Sequence, residues 1–338
     1  MRRAVILNDT RGHHHFGCHR VMEVIEQKLS ARGFEISARS LVRQRWWKNS
    51  SFLNALKACD LIVINGEGTL HHGSRHGPRL LTVAEHPARG AAPVALVNAL
   101  YQENPQQWKP YIDRIDYLNT RDSLSANELG QLAGRDVRCT LDFSLCGGDT
   151  VASPTEPAQR ETLLLGDSVV REANASLIQV ARATPDTVYL PIVRTIKSSK
   201  PQYGHFRYAI REAYVHARTF LFKQSLKNAR FCRDYREYCD QLRTGRLHVT
   251  GRFHGVCLSL ATGTPFLGLS SNSWKVEALL DDIGLGQDRL ITPDRIAAEV
   301  REPTRWAFTE AEQGKVQAAL ARANFEVDAV FDEIASLV

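Results

Sequence analysis

The stretch Thr250-Gly251-Arg252-Phe253-His254-Gly255 sets a guanidinium and an imidazole two residues apart, between the strand-like run Leu247 to Thr250 and an apolar segment with Val256, Leu258, Leu260 and Ala261. In an extended segment the two side chains share a direction and converge on one anionic group. Further on, Ser270-Ser271-Asn272-Ser273-Trp274-Lys275 supplies hydroxyls, an amide and an ammonium just before a helix with Val276, Leu279 and Leu280. Hydroxyls and backbone amides at a helix start make a cradle for phosphate or carboxylate. Gly251, Arg252, His254, Ser270, Ser271, Asn272, Ser273 and Lys275 are therefore the candidate anion-binding set.

Two carboxylates stand out. Glu67 lies between glycines in Asn65-Gly66-Glu67-Gly68, after the β-branched run Leu61-Ile62-Val63-Ile64, and Thr69, His71 and His72 follow it. A plain turn needs no carboxylate there, so a catalytic or ligand-orienting Glu67 weighs evenly against a structural turn. The dinucleotide fingerprint fails, because His71 takes the place of its third glycine and no acidic residue ends a strand at the right distance. Asp142 follows the run Val137 to Leu141. Capping a turn is the commoner use of such an aspartate; facing Glu67 as nucleophile or base is the other. Gly166-Asp167-Ser168 opens like a nucleophile elbow, but Val170 replaces its last glycine, which disfavours a serine hydrolase. His13-His14-His15 cannot all point at one ion and has no carboxylate at helical spacing, so no metal is expected. The loop after the first strand instead reads as cleft lining, with Asn8, Asp9, Thr10 and His15. Gly17 allows a close backbone approach at the start of the first helix, whose amides favour anions.

These residues follow short apolar runs that alternate with amphipathic segments. Ala4 to Leu7, Phe34 to Ser37, Leu61 to Ile64, Val94 to Val97, Ile115 to Leu118 and Val137 to Leu141 read as strands, and Cys18 to Ala31 as a helix. A segment rich in Pro, Ser and Thr, from Thr150 to Glu161, reads as a linker. A second series follows with strands at Leu163 to Leu165, Val188 to Ile192, Leu247 to Thr250 and Pro265 to Leu269. Tyr203 to Arg243 is a long helical insertion rich in Arg and Tyr, and Thr309 to Leu337 is a closing amphipathic helix. Strands alternating with helices imply parallel sheets covered on both faces. The expected fold is α/β, with two Rossmann-like domains over 1–155 and 156–338 facing a cleft. Ligands in such sheets lie at the carboxyl ends of the strands.

Composition narrows the class. At 338 residues, 43% hydrophobic and 24% charged, the chain is globular and long enough for two domains. No apolar run approaches the roughly 20 residues of a membrane span, and the polar start after Leu7 does not read as a signal peptide. Seven scattered cysteines without a CxxC pair suit a reducing cytoplasm. The net charge of +6 is spread along the chain, which argues against a nucleic-acid protein and suits anionic substrates or a peripheral contact with an anionic membrane.

The sequence resembles the polysaccharide pyruvyl transferase superfamily. Arg121-Asp122-Ser123 with Ser125, the Gly-Arg-x-His-Gly segment 251–255, Gly263-Thr264-Pro265, and Lys275 followed by Ile283-Gly284-Leu285 carry the likeness. It implies the two-domain glycosyltransferase B architecture, with pyruvyl transfer from phosphoenolpyruvate to a cell-surface glycan, and with Arg252 and His254 in donor binding and acid/base work. Glu67 departs from the usual all-glycine turn. With the Asn8 to Cys18 loop, Asp142 and Ser270 to Ser273, it looks closer to a glycosyltransferase branch that includes bacterial retaining β-Kdo transferases. That likeness implies a CMP-Kdo-like donor, Asp142 as nucleophile and Glu67 as acid/base, with Arg121 and His71 lining the cleft. The N-terminal domain would then carry the catalytic carboxylates and the acceptor, and the C-terminal domain the donor, the last helix packing back on the N-terminal domain. The expectation is a cytoplasmic transferase of capsule or lipopolysaccharide assembly, acting on a glycan acceptor without cofactor or metal. A phosphoenolpyruvate-dependent pyruvyl transferase is the alternative, and a non-catalytic binder of RNA or anionic glycan a remote third. Trp46, Trp47 and the 203–243 segment are candidate acceptor contacts, ordinary packing being the preferred reading.

Overall fold

The computed structural model describes residues 1–147, 160–200 and 203–338. They divide into two compact units: Met1–Thr10, Val21–Phe143 and Ala323–Val338 form one, Arg11–Arg20 and Ser144–Arg322 the other. Most of the segment read as a linker, 150–159, lies outside the described residues.

In the first unit the short apolar runs become six strands: β1 (Arg2–Asp9), β2 (Phe34–Leu41), β3 (Leu61–His71), β4 (Val94–Gln102), β5 (Tyr117–Thr120) and β6 (Arg138–Cys139). They pair in parallel in the order β2-β1-β3-β4-β5-β6. Parallel neighbours need crossovers, and helices α1 (Phe16–Ala31), α2 (Ser50–Lys57) and α3 (Ser123–Ala133) supply three of them. Each residue of β4 is buried, which explains a run with no polar alternation. Asn49 caps α2 by accepting from Phe52 N at 3.2 Å. Asp122 caps α3 by accepting from Ser125 N at 2.8 Å. The chain reverses its direction of travel across the sheet between β1 and β3, which makes that gap the switch point where ligands bind.

The second unit has strands β7 (Thr162–Ser168), β8 (Thr187–Tyr189), β9 (Gly245–Gly251), β10 (Phe266–Leu269) and β11 (Leu290–Ile291). Their order is β11-β10-β9-β7-β8, again parallel, with the switch point between β7 and β9. Helices α4 (Arg171–Ala183), α5 (His205–Ser225), α6 (Tyr235–Arg243), α7 (Phe253–Ala261), α8 (Lys275–Ile283) and α9 (Glu310–Ala335) complete the set, together with short single turns. The end of α9, from Ala323, counts with the first unit. There Lys28 Nζ meets Asp328 at 2.8 Å, and Phe331 stacks on Phe143 at 5.8 Å.

Two Rossmann-like domains are therefore present, with corrections of detail. The glycines around Glu67 do not end β3, which runs on to His71 with a register shift between Glu67 and Leu70. A Cβ on Gly66 would meet Ala99 Cβ at 2.5 Å, so glycine is needed there for strand packing. Val137 to Leu141 keeps only Arg138–Cys139 as strand, and the 203–243 segment is two helices. Trp46 is 1% exposed and donates from Nε1 to Arg79 O at 2.6 Å, while Trp47 packs on the same core. Trp46 is a core residue.

Candidate active site

Four adjacent strands of the first unit end their apolar runs in asparagine: Asn8 on β1, Asn65 on β3, Asn98 on β4 and Asn119 on β5, none more than 1% exposed. Buried amides must find partners, and these find one another. Asn8 Nδ2 donates to Asn65 O at 2.7 Å and to Thr69 Oγ1 at 3.0 Å. Asn65 Nδ2 donates to Asn8 O at 3.3 Å and to Glu67 Oε2 at 3.4 Å. Asn119 Oδ1 accepts from Asn98 N at 2.9 Å, and Asn98 Nδ2 donates to Asp142 Oδ2 at 3.3 Å.

Asp142 directly precedes the short helical turn Phe143–Leu145. Its carboxylate is fully buried, and Arg121, 2% exposed, donates from Nη1 to Oδ2 at 3.1 Å. A buried ion pair persists only when further hydrogen bonds satisfy it, and Asn98 supplies one. Glu67 is 3% exposed and stands in register with Ala99, the neighbour of Asn98. The two carboxylates thus flank one point on β4. Asn8, Glu67 and Asn98 hold φ of 67°, 36° and 54°. A side chain in the left-handed region costs of order 1–3 kcal/mol, and such strain collects at functional sites. Beside it, Gly68 is exposed, and a Cβ there would meet only Arg121 Nη2, at 4.0 Å. Space therefore opens over Gly68 next to the guanidinium that holds Asp142. Asp9 and Thr10 are buried near this switch point, Asp9 O accepting from Val42 N at 2.9 Å. His71 lies further along β3, partly exposed, its ring 5.1 Å from that of His72.

In the second unit β9 ends at Gly251, where a Cβ would lie 2.3 Å from Ser168 Oγ on β7. Arg252 is the N-cap of α7 and His254 lies in its first turn. Arg252 is extended and the helix begins at Phe253, and both Arg252 and His254 act on His15. Arg252 Nε and Nη2 hold Asp167 Oδ2 at 2.7 and 2.6 Å across the switch point, and Asp167 Oδ1 accepts from Ile192 N at 3.0 Å. His254 is 8% exposed, its ring 5.2 Å from that of His15. The backbone approach that Gly17 permits is that of His254, whose Cβ would lie 2.2 Å from a Cβ on Gly17.

Burial, then the electrostatic influence of His254, Arg252, His13 and Lys275, holds the pKa of His15 well below its usual value. His15 is therefore neutral at neutral pH. Ligand atoms of His15, Cys18 and His254 lie within 4.8 Å of one another, a donor set that suits zinc or copper. Arg252 and Lys275 give that locality a field that opposes a cation and favours an anion. Lys275 Nζ donates to Asn272 Oδ1 at 2.8 Å, and Ser271 Oγ to the same oxygen at 3.2 Å. Ser270 is exposed, while Ser273 is 9% exposed and its Oγ has no partner among the described residues. A buried hydroxyl without a partner is costly unless a ligand or water completes it.

The residues named from sequence thus fall into two groups. Asn8, Asp9, Thr10, Glu67, His71, Arg121 and Asp142 belong to the first unit; His15, Gly17, Gly251, Arg252, His254, Ser270 to Ser273 and Lys275 belong to the second. Sequence reasoning missed Asn65, Asn98 and Asn119, although the recurring pairs Ile64-Asn65, Val97-Asn98 and Leu118-Asn119 echo Leu7-Asn8. It also missed Cys18, and it weighed Asp167 only as part of a broken hydrolase pattern.

The model of the polysaccharide pyruvyl transferase family matches residues 23–273. Comparison with curated protein sequences gives no significant match. Among solved structures, an alpha-glucosyltransferase in complex with UDP is similar at TM-score 0.55 and 11% identity, with 99% of each chain covered. The glycotransferase of kitacinnamycin is similar at TM-score 0.53 and 14% identity, over 100% of this chain and 98% of that one. A Listeria monocytogenes protein assigned as UDP-N-acetylglucosamine 2-epimerase is similar at TM-score 0.56 and 12% identity, over 99% and 96%. These likenesses establish a shared glycosyltransferase B-type fold.

Proposed function

The chain belongs to the polysaccharide pyruvyl transferase family, and from that premise we propose that this polysaccharide-modifying transferase is a retaining glycosyltransferase. In this reading it moves Kdo or a similar acidic sugar from a CMP-activated donor onto a glycan of bacterial capsule or lipopolysaccharide. The placement of Glu67 and Asp142 on either side of Asn98-Ala99, beside three residues of positive φ, carries the reading. Asp142 attacks the anomeric carbon and CMP departs with the electron pair of its bond. An acceptor hydroxyl, its proton taken by Glu67, then displaces the carboxylate from the same carbon. Two inversions retain the configuration. Arg121 and Asn98 orient the nucleophile, and the space over Gly68 receives the sugar. Within the second unit, Ser273 and Lys275 at the start of α8 suit an anionic group, and Asp167 braces Arg252.

The test is kinetic. Asp142→Ala removes the carboxylate that pairs with the buried guanidinium of Arg121, so Asp142→Asn is the cleaner variant. Transfer from CMP-Kdo falls roughly a thousandfold or more in Asp142→Asn while donor affinity is nearly kept, because a nucleophile acts mainly in the transition state. Glu67→Gln slows turnover and lets a covalent sugar adduct on Asp142 accumulate, visible by intact-mass spectrometry. Full turnover in Asp142→Asn would sink the double displacement.

A second reading, phosphoenolpyruvate-dependent pyruvyl transfer, draws support from His15 and His254 beside Arg252 and Lys275. It needs no adduct on Asp142. Thermal shifts with CMP and with phosphoenolpyruvate separate the two, since only a bound donor fragment stabilises the fold.

A further inference from the structure

Helix α5 (His205–Ser225) buries only a narrow strip of itself. Val215 and Thr219 are buried, and Tyr208 and Phe222 are half-buried beside them. On the opposite side Phe206 is 79% exposed, Ile210 56%, Tyr214 48%, Phe220 61% and Leu221 57%. At about 100° per residue, these five fall within an arc of roughly 120° centred away from Val215 and Thr219. A single exposed apolar residue needs no explanation, but a contiguous stripe marks a surface that is covered in use.

The edges of the stripe say by what. Arg207, Arg211 and Arg218 follow one flank and Lys223 the other, while the sole acid of the helix, Glu212, is engaged by Ser199 Oγ at 2.5 Å and faces His14 Nε2 at 3.7 Å. Aromatic and aliphatic side chains bordered by cations are the pattern of a helix lying in the plane of a membrane interface. We propose that α5 docks the protein onto a bilayer containing anionic phospholipid, with Phe206, Ile210, Phe220 and Leu221 among the acyl chains. The flanking arginines and Lys223 then meet headgroup phosphates. None of the helices among the described residues is long and apolar enough to cross a membrane, so α5 lies on the surface. A second copy of the chain is a poor cover, because two such stripes laid together bring arginine rows against each other with no acid between them. The docking is independent of which donor the transferase uses.

Vesicle flotation tests the proposal on the full chain, with phosphatidylcholine alone and with phosphatidylcholine mixed with phosphatidylglycerol. The protein floats with the anionic vesicles and much less with the neutral ones, and added salt releases it. Phe206→Ser with Phe220→Ser abolishes flotation. Arg207→Gln with Arg218→Gln weakens it about fivefold per cation removed, and circular dichroism of both variants matches the parent. Failure of the parent to float with anionic vesicles overturns the proposal, as does flotation that ignores both pairs of substitutions. A dimer in sedimentation that the Phe206→Ser, Phe220→Ser variant dissolves would give the stripe to a second copy and overturn it too.

Discussion

Gly17→Ala is the substitution for which the structure sets two effects of known sign against each other. Gly17 lies in the first turn of α1, and a Cβ there would stand 2.2 Å from His254 Cβ and 2.3 Å from its Cγ. Carbon atoms in contact stand about 3.5–4.0 Å apart, so one of the two segments must move by roughly 1.3 Å or more. Helix propensity pulls the other way, because alanine is favoured over glycine by up to about 1 kcal/mol. Overpacking a close-packed interior costs typically about 1–3 kcal/mol, and here the overlap is with a Cβ that no rotamer change can carry away. The upper part of that range applies, leaving a net destabilisation of about 1–2 kcal/mol. Urea unfolding of the second unit's transition reads it directly. Turnover drops as well, since the displaced imidazole of His254 loses its place beside His15. The decisive control is His254→Gly, which removes the opposing Cβ. The two substitutions together cost less than the sum of their separate effects, by a coupling of about 1 kcal/mol or more. Parental or raised stability in Gly17→Ala, or strict additivity with His254→Gly, would refute the close approach.

Arg121→Met leaves the carboxylate of Asp142 buried without its cation and destabilises by roughly 3–5 kcal/mol in chemical denaturation; adding Asp142→Asn recovers most of that loss. Burial lowers the pKa of His248 from 6.5 to about 3, its Nδ1 meeting Ser259 Oγ at 2.7 Å. The unfolded chain takes up a proton below 6.5 that the folded chain refuses until about 3. Stability is therefore full above 6.5 and falls with pH across that window, by on the order of 3 kcal/mol near pH 4, and His248→Gln flattens the measured slope. Arg289, 3% exposed, joins Glu312 at 2.8 Å to the carbonyls of Phe266 and Trp306 at 3.2 Å, so Arg289→Met lowers the melting temperature through a loss of about 2 kcal/mol.

Strands such as Leu61 to Ile64 and Val94 to Val97 were legible because a strand buried on both faces must be continuously apolar, and the polar residue that ends it is where water or ligand begins. Element ends were less legible. Glycines around Glu67 look like a turn, yet β3 continues through them because β4 presses so close at Ala99 that only glycine fits at position 66. Partners far apart in sequence were not legible at all. Arg252 meets Asp167 across 85 positions, and Asp142 meets Arg121 and Asn98 only because β4 and β5 lie side by side. Spacing within one segment carries no information about either pair.

The two sheets spend their switch points on opposite charges, which bears on the division of labour between them. On the first, Glu67 and Asp142 are embedded among asparagines that give and take hydrogen bonds without adding charge, and Asp142 is matched by one arginine. Such a setting fixes two carboxylates in place. On the second, Arg252 and Lys275 gather positive field, Arg252 pairs with Asp167, and burial leads the depression of the His15 pKa. Within the second unit an anionic group meets a favourable field at Arg252 and Lys275, while in the first unit Asn98 and Arg121 hold Asp142 in place.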